Sequence, residues 1–247
     1  MLVFGTRPEA IKMCPLVIEL RKRKNVHVSV CVTGQHREML ASVLDFFGIV
    51  PDYDLDIMSQ GQTLFDITEK VMRGMRSVLE KEKCDILLVH GDTTTAFAAA
   101  LAAFYMRVPV GHVEAGLRTY DITSPYPEEF NRVAVDSIAS FHFAPTKLAE
   151  QRLIAEGKNK ENVFVTGNTV IDALRFTVKS DFSHSALDFA NGRKMILLTS
   201  HRRENIGAPM VEMFNAIKDV LRAHSDVCAV YPVTSQSTGS TRRTRSI

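Results

Sequence analysis

Short β-rich runs alternate with longer segments of helical period along most of this chain, and that alternation restricts the fold more than any other feature. It is the signature of a parallel sheet covered by helices. Strands are expected over 2–4, 27–33, 86–90, 108–113, 141–144 and 163–166, with helices over 8–22, 38–47, 64–82, 94–106, 128–139, 147–156 and 170–177. These elements complete one doubly wound α/β domain, residues 1–177. A polar stretch follows, "TVKSDFSHSALDFANGR", and 178–193 is expected to connect two domains. The alternation then restarts, with a strand over 195–199, a helix over 210–223 and a strand over 227–233. Two parallel strands and one crossover helix cannot cover both faces of a sheet, so 194–233 reads as the start of a second, incomplete domain.

Composition narrows the function classes. Of 247 residues, 45% are hydrophobic and 23% charged, the balance of a soluble globular protein. The formal net charge is only +2, so nothing global points to nucleic acid, and Arg242, Arg243 and Arg245 in the polar tail read as solvated. Cys14, Cys31, Cys84 and Cys228 lie far apart in apolar stretches without a CxxC pair, which suits a reducing, cytoplasmic setting. The longest apolar run, "AFAAALAAFYM", falls short of the roughly 20 residues a membrane span needs, so no membrane partner is expected. The opening "MLVFG" lacks the basic start and cleavage site of a secretory signal.

In an open α/β sheet ligands bind beyond the carboxyl ends of the strands, and several of those ends carry polar clusters here. "FGTRPEAIK" runs from strand through a turn at Gly5 into a helix opened by Pro8, with Arg7 at its mouth and Lys12 one turn in. Free amides at that helix start would face the crevice, an anion site in outline, although a helix cap with solvated charges explains the same residues. GxGxxG is absent. In "LLVHGDTTTAFAAALA", Asp92 precedes a small Ala-rich helix able to pack closely on the sheet. It serves either as that helix's cap, the commoner role, or as an acid or base.

In "VGHVEAGLRT" an apolar strand ends on Glu114, with Gly116 and Arg118 following. A carboxylate there is functional or is salt-bridged to an arginine. "SPYPEEFNR" opens a helix with Glu128 and Glu129 in its first turn, where helix-dipole compensation alone would account for both. "LTSHRREN" closes the first strand of the second unit on His201, Arg202, Arg203 and Glu204, where a histidine can exchange a proton and an arginine can pair with a diphosphate. His27 and His142 alternate within strands, while His184 and His224 read as surface.

Together "FGTRPEAIKMCPL", "TGQHREML", "HGDTTT", "HVEAGLRT", "PEEFNR", "TGNTVIDAL" and "SHRREN" closely resemble, in order and spacing, the non-hydrolysing UDP-N-acetylglucosamine 2-epimerases of bacteria. The resemblance implies two Rossmann-like domains in a GT-B-type architecture and no external cofactor or metal. The partners it implies are UDP-GlcNAc and UDP-ManNAc, with a homodimer as the assembly. The implied reaction is anti elimination of UDP to a 2-acetamidoglucal, then re-addition of UDP to the other face. Asp92, Glu114 and Glu128 match family positions implicated in catalysis, and His201 matches a proton donor or diphosphate contact. Arg7, Lys12, Arg118 and Arg202 match substrate-binding positions. Gln35 and His36 match the region where many members bind a second UDP-GlcNAc as activator.

The pattern breaks after "YPV". Family members continue there with His-x-Asn-Pro and a segment that grips the uridine and ribose, whereas here Thr234 opens a polar tail, 234–247. That tail is expected not to belong to the family, and this chain by itself is expected to turn over weakly or not at all.

Overall fold

A computed structural model describes residues 1–34, 37–200, 207–232 and 244–246. The chain divides into two compact units, Met1–Val178 and Lys179–Ile247.

Among the described residues, the first unit holds a seven-stranded parallel sheet in the order β3-β2-β1-β4-β5-β6-β7. The strands are β1 (Leu2–Phe4), β2 (Val30–Val32), β3 (Tyr53–Asp54), β4 (Leu87–His90), β5 (Val110–Val113), β6 (Phe141–Ala144) and β7 (Val163–Val165). The helices are α1 (Arg7–Arg21), α2 (Arg37–Phe47), α3 (Leu64–Lys81), α4 (Thr94–Tyr105), α5 (Glu128–Ile138), α6 (Lys147–Ala155) and α7 (Val170–Thr177). Strand order reverses between β1 and β4, the switch point at which a doubly wound sheet opens its crevice.

Side chains alternate across each strand, so consecutive residues enter different cores. Leu2, Phe4, Val30 and Val32 join Met13, Val17, Leu40 and Leu44 of α1 and α2 on one face. Val3, Cys31, Leu87 and Val89 join Ile67, Val71 and Met75 of α3 and the buried alanines of α4 on the other. Ala98, Ala99 and Ala103 let α4 lie close to the sheet, the packing its composition predicts. Each large side chain buried in this way contributes about 1.5–3 kcal/mol. Burial also pushes the Cys14 and Cys31 thiols up to about 12, leaving them as small hydrophobes.

Two expectations change. The strand expected over 27–33 pairs in register with β1 only at Val30–Val32, although the Leu2 amide still donates to the Ser29 carbonyl at 2.9 Å, and His27 lies outside the strand on the surface. The two-residue edge strand β3 escapes a periodicity reading altogether; Asp52 beside it accepts a bond from the Val30 amide at 2.8 Å.

The second unit contains α8 (Ser185–Ala190), β8 (Lys194–Leu197), α9 (Ala208–Ala223), β9 (Val227–Pro232) and β10 (Thr244–Ser246). Helix α8 occupies part of the stretch expected to be a connector, opened by His184, whose Nδ1 accepts from the Ala186 amide. β8 and β9 pair in parallel; Thr244–Ser246 pairs antiparallel with the far edge of β9. A strand therefore forms within the tail expected to be merely polar. An open strand edge recruits backbone irrespective of side chain, which hydrophobic patterning cannot register.

Candidate active site

The turn after β1 is shaped by close approach. A Cβ on Gly5 would stand 1.9 Å from Thr33 Oγ1, so a glycine is required there. Thr6 caps α1, and Glu9 closes a capping box by accepting from the Gly5 and Thr6 amides at 3.0 and 2.7 Å. The other Glu9 oxygen accepts from the Thr93 hydroxyl at 2.5 Å. Hence the anion at this helix start is the chain's own Glu9, and the Gly5 and Thr6 amides are not free to face a ligand. Arg7 stands exposed at the mouth, as its position at the helix start requires.

At the end of β4, Thr93 rather than Asp92 caps α4, accepting from the Ala96 amide at 3.0 Å. Asp92 is instead bound into α5: Arg132 donates to its carboxylate at 2.6 Å, and Asn131 donates to its carbonyl at 2.9 Å. The commoner reading of Asp92 is thus corrected, because the hydroxyl one residue on reaches the cap amide and leaves the carboxylate to pair.

Glu114, at the end of β5, adopts a left-handed backbone with φ +68°, a conformation costly for a side chain with a Cβ. Its carboxylate accepts from Lys12 Nζ at 2.5 Å and Asn168 Nδ2 at 2.9 Å, with His90 Nε2 at 3.5 Å. The charge partner is therefore lysine, not the arginine weighed from sequence. Burial pushes the Glu114 carboxyl up, but His90 and Lys12 outweigh it and hold the group down to about 2. Glu114 is ionised throughout the neutral range.

Arg118, expected at the substrate, turns inward. Its guanidinium lies 2.8 Å from Asp136 and donates to both Glu156 oxygens at 2.8 and 2.6 Å, with a side chain 1% exposed. Two acids satisfy the fork more completely than a solvent-facing position could, so its role here is to hold the turn after β5.

The first turn of α5 separates two neighbouring acids. Glu129 is buried and accepts from the Thr119 and Tyr120 amides at 2.9 and 3.0 Å, fastening the loop before the helix. Glu128 is half-buried, and its Oε2 is buried without a hydrogen-bond partner among the described residues. Dipole compensation does not distinguish these two; their contacts do. His201, Arg202, Gln35 and His36 lie outside the described residues.

The structure thus links α1, the β4 and β5 ends and α5 through Lys12–Glu114 and Arg132–Asp92. Glu9, His90, Arg132, Asp136 and Asn168 were not singled out from sequence. Arg132 and Asp136 carried a usable signal, since charged residues at 128, 132 and 136 repeat at helical spacing.

Comparison with known proteins gives this site its context. The profile of the family described as UDP-N-acetylglucosamine 2-epimerase matches residues 18–246. The chain belongs to this family. A UDP-N-acetylglucosamine 2-epimerase of Bacillus subtilis (strain 168) is 55% identical over 233 residues, covering 94% of this chain and 61% of its own length. The one from Escherichia coli (strain K12) is 52% identical over 241 residues, covering 94% and 64%. The crystal structure of a UDP-GlcNAc 2-epimerase from Neisseria meningitidis bound to UDP-GlcNAc superposes with a TM-score of 0.82 at 45% identity, covering 94% of this chain and 64% of that one. The chain therefore spans about three-fifths of the length of these relatives, and the family profile continues past Val233, where the motif match ended.

Proposed function

We propose that this chain carries the N-terminal half of a site that interconverts UDP-GlcNAc and UDP-ManNAc without releasing free sugar. A proton leaves C2 of the sugar for a carboxylate, the C1–O bond breaks, and UDP departs with the bonding electrons. UDP then re-adds at C1 while a proton returns to C2 from the opposite face. C2 is a weak carbon acid, so the step needs a placed base and neutralisation of the leaving diphosphate.

The three acids are suited to different parts of that task. Asp92 is paired with Arg132, and Glu114 with Lys12; a carboxylate tied to a cation accepts a proton poorly. The buried, unpartnered Oε2 of Glu128 is the observation that carries this assignment, and Glu128 takes the role of proton carrier. Arg7 and Lys12 steady the charge that develops as UDP leaves. His201 and Arg202 contact the diphosphate, and Gln35 and His36 belong to a site for a second UDP-GlcNAc in a homodimeric assembly. Relatives named as UDP-N-acetylglucosamine 2-epimerases, one of them solved with UDP-GlcNAc bound, support the substrate class.

The test is incubation of the purified chain with UDP-GlcNAc in D2O without an acceptor. UDP-ManNAc carrying deuterium at C2 is the expected product, at a low rate because the chain spans only part of its relatives' length. Glu128→Gln should then lower exchange by about 100-fold or more. UDP with free ManNAc would make the enzyme a hydrolysing epimerase. Binding without turnover favours a nucleotide-sugar-binding role, and neither binding nor exchange rejects the proposal.

A further inference from the structure

The imidazole of His112, on β5, is fully buried and has an acceptor at each nitrogen. Nδ1 lies 2.6 Å from Asp136 Oδ1 and Nε2 lies 2.7 Å from the Gly91 carbonyl. A carbonyl can only accept. Asp136 accepts as well: its other oxygen, Oδ2, takes the Gly116 amide at 3.1 Å and lies 2.8 Å from the Arg118 guanidinium, the setting of an ionised carboxylate. Both contacts are hydrogen bonds only if the ring carries a proton on each nitrogen.

The surroundings balance that charge. A ring protonated on both nitrogens would stand with Arg118 against the Asp136 and Glu156 carboxylates, two cations against two anions. His142 on β6 donates Nε2–H to the Asp136 carbonyl at 3.0 Å, and burial pushes its ring down, keeping it neutral beside the pair.

Position gives the network its consequence. Gly91 immediately precedes Asp92, and its amide donates to Val113 at 2.9 Å, so β5 grips the turn from both sides. Gly116, two residues beyond Glu114, donates to Asp136 Oδ2 at 3.1 Å. Asp136 itself belongs to α5, the helix whose first turn bears Glu128. The turns carrying Asp92 and Glu114 and the helix carrying Glu128 therefore meet on one buried carboxylate.

We propose that His112 is a positioning residue: donating from both ring nitrogens, it fastens the Gly91–Asp92 turn to α5 and so sets the spacing of the strand-end acids. Its catalytic meaning rests on the function proposed above; its structural meaning does not. The ring is closed off from solvent.

Long-range proton–nitrogen correlation on the histidine-labelled chain tests this without requiring activity. Two protonated ring nitrogens are expected in a signal absent from His112→Gln, and a lone-pair nitrogen at either position of His112 overturns the proposal. Glutamine presents an amide whose oxygen must face one of the two acceptors. Amide exchange at Gly91 and Asp92 should consequently quicken by about tenfold relative to Glu156→Gln, which alters only the outer end of the network. Equal exchange in the two variants also overturns it. In turnover, His112→Gln should lower kcat by about 100-fold with KM nearly unchanged, and a change in KM alone counts against positioning. If the unsubstituted chain neither binds UDP-GlcNAc nor shows exchange, the functional reading fails while the ring and amide-exchange measurements still decide the role of His112.

Discussion

The two units begin from the same alternation of strand and helix and reach different degrees of burial. In the first, a seven-stranded sheet is covered on both faces, and charged residues such as Asp136 and Arg118 are enclosed and paired. In the second, a three-stranded sheet is accompanied by α9, which buries none of its residues, and Lys194–Asp226 is an exposed pair. The local pattern is equally good in both. What differs is the number of layers, and a buried ion pair can be maintained only where layers on every side exclude water and supply further donors.

That contrast can be broken most directly at its extremes. Asp136→Asn should destabilise the first unit by about 3–5 kcal/mol, since it strands the buried Arg118 charge and takes the carboxylate away from the His112 ring. Asp226→Asn in the second should cost no more than about 0.5 kcal/mol. Denaturant titration of each variant measures both, and equal losses would refute the contrast.

Removing apolar volume should produce the next largest gap. Leu87→Ala, in the core of the first unit, is expected to cost about 3 kcal/mol by leaving a cavity. Val211→Ala, on exposed α9, should stay within about 0.5 kcal/mol. Thermal unfolding followed by calorimetry separates them.

Acid titration sharpens the comparison further. The folded pKa of Glu114, about 2, lies below the ordinary 4.5, so its contribution is fully present above about pH 4.5 and is lost as pH falls towards 2. The shift corresponds to about 3 kcal/mol at most, and Asp136 loses its contribution across the same acid range. Lys12→Met should reduce this acid dependence by removing one of the groups that hold Glu114 down; an unchanged pH profile would dismiss the Lys12 contact.

The smallest effect concerns helix starts. Thr93→Ala removes the cap of α4 and the hydroxyl bound to Glu9, and should cost about 1 kcal/mol. The start of α9, at Gly207, has no side-chain cap to lose. Urea midpoints compare Thr93→Ala with Thr93→Ser, which keeps the capping hydroxyl and should stay close to the unsubstituted chain.

Much of the fold was legible because strands and helices of ordinary length leave a periodic mark. Six of the seven strands in the first sheet and all seven of its helices fall where alternation places them, within a few residues at their ends. β3 and β10 were not legible, because pairing along a sheet edge depends on backbone hydrogen bonds rather than on side-chain pattern. At the site, Asp92, Glu114 and Glu128 were found at strand and helix ends, where polar residues interrupt apolar runs. Their partners were not: Lys12 lies 102 positions from Glu114, and Arg132 lies 40 from Asp92.

The sequence by itself determined the family, the doubly wound architecture and the chain positions of the three acids, because these depend on local pattern and on motif order. Tertiary structure alone decided which acid is tied to a cation and which has an unpartnered oxygen. It also turned Arg118 inward, gave Thr93 the cap expected of Asp92, and enclosed His112 between two acceptors. Those outcomes depend on which turns the packed sheet brings within about 3 Å of one another, a distance at which a hydrogen bond or ion pair forms and beyond which it does not.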